Sequence, residues 1–535
     1  MKPMRGVLLL ILCVAACQFV LSCSADDGAD GLSVLHRGLS TDPESLDPQK
    51  ARSVQAADVL RDVGEGLLAY SASGQLIAGA AQSWQVTEDG LTYTFTIRDD
   101  VRWSNGDALT AAHFVFGLQR LADPAVAAFY ANTITDIENA AAIIAGEAPV
   151  DSLGVEALDE QTLRIRLSRP VPYLLSLLTH PSTFPAHHAS LDSEATGSER
   201  AVLSNGAYKL VDWRPGSMLR LQRNEHYWNN GATSIDVVNH HVVVEETAEL
   251  NRYRSGELHT TSNVPPENFA AISEQYGEEM RIAPYLGIYY YGFNLARPPF
   301  KDNPELRQAL SMAIDREVLV NKITGRGEVP AYSWVPPGTD NYEPPQLSYA
   351  NLSQDERNAI AKSIYQHAGY SAENPAEIEL RFNASATQQR IALAVQAMWR
   401  DVLGAEVSLV SEEFQVLLGN IRDGQITEAF RGSWIGDYND ATTFLNLLAG
   451  GNPANVSGYV SEPYDSLLQR AAKQVDPGRR RLYLEEAERV LLADHAVVPL
   501  YFYVSKHLVR PEVQGWQDNV LDYHYSQHLS LDAAE

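Results

Sequence analysis

The chain has 535 residues, enough for about three domains or one large multi-lobed body, and its 45% apolar content excludes global disorder. A formal charge of -27 excludes nucleic acid and an anionic bilayer as main partners, since both demand a basic face. All three cysteines lie at or before Cys23, so the remainder can form no internal disulfide and must be held together by burial.

In chain order, Lys2 and Arg5 precede an apolar run from Gly6 to Ala16, then Val20-Leu21-Ser22-Cys23. That pattern is an export signal, too short and interrupted for a spanning helix. A cysteine directly after a small residue is similar to a bacterial lipoprotein signal, in which residues 1–22 are removed and Cys23 is acylated. Val14-Ala15-Ala16-Cys17 also fits. Cleavage there leaves Phe19, Val20 and Leu21 beside the anchor, whereas cleavage before Cys23 leaves a polar tether over 23–30, which favours Cys23. The expected product is a soluble periplasmic or cell-surface body tied by lipid to a bacterial membrane.

Leu91 to Arg98 alternates apolar and polar residues, predicting a half-buried strand. Thr110 is a predicted N-cap for a helix through Phe114, Leu118 and Leu121. Leu163 to Leu167 alternates again and stops at Arg169-Pro170-Val171-Pro172. Apolar spacing predicts one long helix over Pro304 to Lys322, then helices over Gln388 to Leu403 and Arg479 to Leu492. Val407 to Val410 and Val497 to Val504 read as strands, so the second half alternates helix and strand as α/β lobes do.

The chain carries no G-x-S-x-G elbow, H-E-x-x-H pair, Walker loop or G-x-G-x-x-G fingerprint, which argues against an exported hydrolase. No catalytic residue, cofactor or metal ligand is expected. His240 and His241 before Glu245 and Glu246 read as structural, and His524 and His528 as a solvated terminal loop. One segment stands out. Arg431 to Asp440 places a cation, aromatic residues and a carboxylate close together; taken alone, Asp437 after Gly436 reads as a turn residue and Trp434 as core, but the combination suits a zwitterion, carboxylate for ammonium and arginine for carboxylate.

Ordered motifs from about Gly38 onward carry a family resemblance. They include Glu44-Ser45-Leu46-Asp47-Pro48, Leu91 to Asp107, Asn205-Gly206-Ala207-Tyr208, Tyr227-Trp228-Asn229-Asn230, Ala313-Ile314-Asp315-Arg316, Ala331 to Pro337 and Trp434 to Leu445. On these the chain resembles the extracytoplasmic solute-binding proteins of peptide ABC importers (family 5), oligopeptide-binding branch. The resemblance implies an α/β two-lobed periplasmic-binding-protein-like clamp (type II) with an extra α/β domain inserted in the first lobe. Lobe one would take 31–62, 188–285 and 505–535, the inserted domain 63–187 and lobe two 286–504, with hinge crossings near Tyr285 and Val504. It also implies a monomer that passes short peptides to permease subunits.

By the same resemblance, Asp437 binds the peptide ammonium beside Trp434, with Ser433 as backbone partner. Tyr130, Val54, Tyr285, Tyr290, Tyr503 and Phe414 complete the peptide-binding set. Arg431 matches a cation for the peptide carboxylate, while Gln388 and Thr324 stand where relatives carry others and Arg326 is close by. If Arg431 is the sole internal cation, a length of about three residues is expected. Murein peptides, peptide signals or another small ligand are the alternatives.

Overall fold

The computed structural model describes residues 31–190, 203–426, 428–452 and 454–532; the signal, both candidate lipidation cysteines and the tether lie outside the described residues. Three sheets organise the body. The first runs Val34–Leu39, Val237–Val242, Met218–Arg223, Tyr208–Arg214, with its first pair parallel. The second is antiparallel, in the order Ala81–Val86, Thr92–Ile97, Thr162–Arg166, Val155–Ala157. The third has six strands: Val329–Pro330, Val497–Leu508, Met280–Phe293, Ala429–Ile435, Glu377–Asn383 and Glu406–Glu412. Mixed sheets carrying helices are the α/β class the sequence predicts.

Each sheet has its own core. Phe95, Phe114 and Ile165 centre the second, Leu35, Tyr208 and Leu221 the first, and Tyr289, Trp334 and Trp399 the third. Separate cores let the regions move as units. Met280–Phe293 and Val497–Leu508 are the longest strands, and they pair from Met280 opposite Leu508 to Gly292 opposite Val497. Their ladder loses register between Pro284 and Ile288, opposite Phe502 to Val504, where a bend costs fewest hydrogen bonds.

The helix expected over Pro304 to Lys322 is broken. Pro304–Met312 is α-helical, Arg316–Val318 restarts it, and Leu319–Thr324 widens into a π turn. Asp315 caps the restart by accepting the Val318 N–H at 2.9 Å. The Arg316 guanidinium, fully buried, donates to the carbonyls of Ala331 at 2.9 Å and Pro499 at 2.8 Å. These distant acceptors pin the break, and apolar spacing carries no trace of them.

Candidate functional site

Two cavities open between these regions. The first, about 300 Å³, is walled by Val54, Asp58, Arg61, Tyr130 and His180, and facing them by Tyr285, Ile435, Gly436 and Asp437. The second, about 480 Å³, is walled by Thr324, Arg326, Glu328, Gln388, Tyr503 and Lys506. Tyr285, Ile435, His507 and Asp522 line both, so the two form one cleft.

A free strand edge runs into this cleft. Ala429–Ile435 pairs antiparallel with Met280–Phe293, and the Gly436 N–H extends that ladder to the Leu286 carbonyl at 2.8 Å. By the alternation of such ladders, Gly432 and Trp434 turn their peptide groups toward that partner, and Arg431, Ser433 and Ile435 turn theirs away. On the outer side, Glu377–Asn383 pairs only with Ala429 and Phe430. Among the described residues, no strand covers the edge from Arg431 to Ile435. Such an edge is a template for an added strand.

Asp437 stands where this edge ends. The chain can reach it because Gly436 has no side chain: a Cβ there would lie 2.7 Å from Leu286 Cδ2. The following turn is fixed on three sides. Thr443 Oγ1 accepts both the Asp437 N–H and the Trp434 indole N–H, each at 3.2 Å. Arg480 donates two bonds to Asp440, at 2.7 and 2.8 Å. Tyr438 stacks on Tyr173 across the regions, 4.7 Å apart and 6° from parallel.

The Asp437 carboxylate meets solvent at the cleft mouth, yet no hydrogen-bond donor or cation among the described residues serves it. The surrounding walls displace enough water to push its pKa up to about 6. Beside it, Tyr130 donates to the Arg52 carbonyl at 3.3 Å and packs against His180.

The other sequence-predicted residues divide between the faces of the third sheet. Arg431 donates to the Tyr503 hydroxyl at 3.5 Å and lies over the Tyr289 ring, 5.1 Å from its centroid. Burial opposes its charge, and the neighbouring Tyr503 and Tyr289 outweigh that, so its pKa is raised. It has no carboxylate partner among the described residues, its buried Nε lacks an acceptor, and it lines neither cavity. Tyr290 packs edge-on to Trp334, on the face shared with Trp434. Trp434 therefore bears on the cleft through Thr443. Phe414 is 43% exposed, begins the helix Phe414–Arg422 and lines neither cavity. Gln388 accepts from the Tyr289 hydroxyl, and Thr324 donates to Glu328 at 2.8 Å.

Sequence reasoning missed Thr443, His180 and Lys506. Lys506 pairs with Glu328 at 3.1 Å, both side chains 7% exposed. With Arg326 on the same wall, Arg431 is not the sole internal cation, and the condition for a single preferred length is not met. Two histidine readings are also resolved. His240 is buried against Asp62 at 3.1 Å and His241 contacts His36 at 2.8 Å, both within the body of the first sheet. His524, expected in a solvated loop, is instead packed flat on Trp516 with centroids 3.7 Å apart, and His528 is held at the Tyr70 carbonyl at 3.1 Å.

A cleft between separately cored α/β regions, crossed by two long strands and ending on a solitary carboxylate, defines a clamp-type ligand-binding protein. Residues 75–455 match the family described as "Bacterial extracellular solute-binding proteins, family 5 Middle", and the chain belongs to that family. The periplasmic oligopeptide-binding protein OppA of Escherichia coli (strain K12) is 36% identical over 503 residues, 93% of this chain and 92% of the relative. The unliganded open form of MppA, a periplasmic murein tripeptide binding protein, superposes with a TM-score of 0.85 at 33% identity, covering 94% of this chain and 97% of that one. Haemophilus influenzae OppA in complex with RPPGFSPFR superposes at 0.75 and 32% identity, covering 94% and 99%.

Proposed function

We propose that this protein captures short peptides in the cleft and delivers them to the permease of an ABC importer. The observation that carries this reading is the free strand edge from Arg431 to Ile435 leading to the unpaired carboxylate of Asp437. An extended peptide hydrogen-bonds along the edge through its main chain, and its ammonium replaces the missing cation at Asp437. Main-chain recognition and a wet cleft leave side chains largely unread, giving broad sequence tolerance. Arg326, on the wall of the second cavity, receives the peptide carboxylate, and Arg431 supports it from behind through the Tyr503 hydroxyl.

The cuts at 62/63 and 187/188 are supported by the separate first and second cores, and those at 285/286 and 504/505 by the register break at Pro284 to Ile288 opposite Phe502 to Val504. Lipid attachment at Cys23 is supported by the signal pattern, and export by relatives named as periplasmic; no helix among the described residues is long and apolar enough to cross a membrane. We assign a monomer that acts by binding, without catalysis. Mass spectrometry of the ligand released from purified protein tests the reading. Short peptides with free amino termini are expected, a murein peptide is the special case, and a non-peptide ligand overturns it.

A further inference from the structure

His507, Asp522 and His524 converge where the two cavities meet. His507 Nε2 lies 2.9 Å from Asp522 Oδ1 and 3.1 Å from Oδ2, and His524 Nε2 lies 3.0 Å from the same Oδ1. All three donor atoms fall within 4.8 Å of one another. From this geometry we propose that the three residues form a binding site for a zinc-class divalent cation, with one coordination position left facing the cleft.

Each ligand is held in place from behind. A carbonyl only accepts, so the 2.9 Å contact to Thr261 O places a proton on His507 Nδ1 and aims Nε2 at the site. The His524 ring lies on Trp516, 16° from parallel. Asp522 sits in the left-handed region at φ 57°, its N–H bonded to the Asn519 carbonyl, while Asn519 Oδ1 accepts the N–H groups of Leu521 and Tyr523. The turn thus fixes the carboxylate.

Two imidazoles and one carboxylate suit zinc, and three protein ligands with an open fourth position is an arrangement zinc adopts where it meets a substrate. Zinc–donor bonds of about 2.0–2.2 Å in a tetrahedron set donors roughly 3.3 Å apart. The two contacts to Asp522 Oδ1, at 2.9 and 3.0 Å, reach that with shifts of a few tenths of an ångström, and the two imidazole nitrogens, within 4.8 Å of each other, must close on the ion. When the ion enters, the proton shared between His507 and Asp522 leaves to solvent, the proton that His524 Nε2 donates to Asp522 moves through solvent to Nδ1, and zinc takes their places. Nearby cations are partly offset, since Arg61 pairs with Asp58 at 3.0 Å and Arg37 is near Asp62 at 3.8 Å, although Arg37 still opposes positive charge at both histidines. Because His507 and Asp522 line both cavities, the open position is available to water or to a donor of the bound guest.

The test is titration of the EDTA-stripped protein with zinc chloride against a chromogenic chelator, with elemental analysis of the bound metal. The expected result is one zinc per chain, weakened by about a hundredfold or more in both His524→Ala and His507→Gln. Thermal melts with and without zinc accompany each variant, and zinc should raise the midpoint of the unsubstituted protein only. Zinc bound as tightly by the variant combining His524→Ala and His507→Gln would place the metal elsewhere and overturn the proposal, as would no zinc bound by the unsubstituted protein. Calcium binding at this site in preference to zinc would overturn the nitrogen-ligand assignment. Peptide titrations in EDTA read the Asp437 site separately, so the two proposals fail independently.

Discussion

The two ends of the cleft treat charge differently. At the near end a single carboxylate, Asp437, stands without a partner on a rigid turn. At the far end there are three cations: Lys506 is already neutralised by Glu328, Arg326 donates to the Val264 carbonyl at 3.0 Å, and Arg431 lies behind Tyr503. One end is a fixed anchor and the other a graded receiver. A guest is registered by its ammonium, and its length is accommodated at the opposite end.

Removing the anchor should cost most. Asp437→Ala is expected to weaken peptide binding by about 3–5 kcal/mol, because closure would then leave an ammonium desolvated without a counter-charge. Calorimetry with a tripeptide reads this directly. At the far end the losses should depend on length: Arg431→Gln and Arg326→Gln each weaken some lengths by about ten- to a hundredfold, equivalent to one charged hydrogen bond, and spare others. Titrations with peptides of two to five residues separate the two, and an identical loss at every length would contradict a graded receiver.

Acid should act on the anchor. Its carboxyl pKa is raised from 3.8 to about 6, so ionisation is costly in the free protein and the charge is lost as pH falls through that value. Affinity is expected to fall by up to about tenfold between pH 7.5 and 5, with proton release on peptide binding near pH 6. Asp437→Asn should abolish this dependence. The smallest effect belongs to Thr443→Val, which strips the shared acceptor from the Asp437 and Trp434 N–H groups and should cost about 1 kcal/mol of affinity.

Much of this was legible locally. The alternation of Leu91 to Arg98 gave the strand Thr92–Ile97, and Thr110 does precede the helix Ala111–Ala122. Asp437 was reached by resemblance, since a Gly-Asp pair alone reads as a turn. What stayed hidden depends on contacts distant in sequence. The Lys506–Glu328 pair spans 178 residues of chain, the Arg316 anchors come from Ala331 and Pro499, and the free edge exists only because Glu377–Asn383 stops pairing at Phe430. The His507 cluster escaped because its members read as loop and strand residues until a turn folds them together.

The most direct test is a double-mutant cycle: calorimetric affinities of a tripeptide and its N-acetylated form for the protein and for Asp437→Asn. A coupling of at least about 1.5 kcal/mol between carboxylate and ammonium is expected for a close charge pair. Additive losses, with no coupling, would mean the ammonium binds elsewhere and would contradict the anchor.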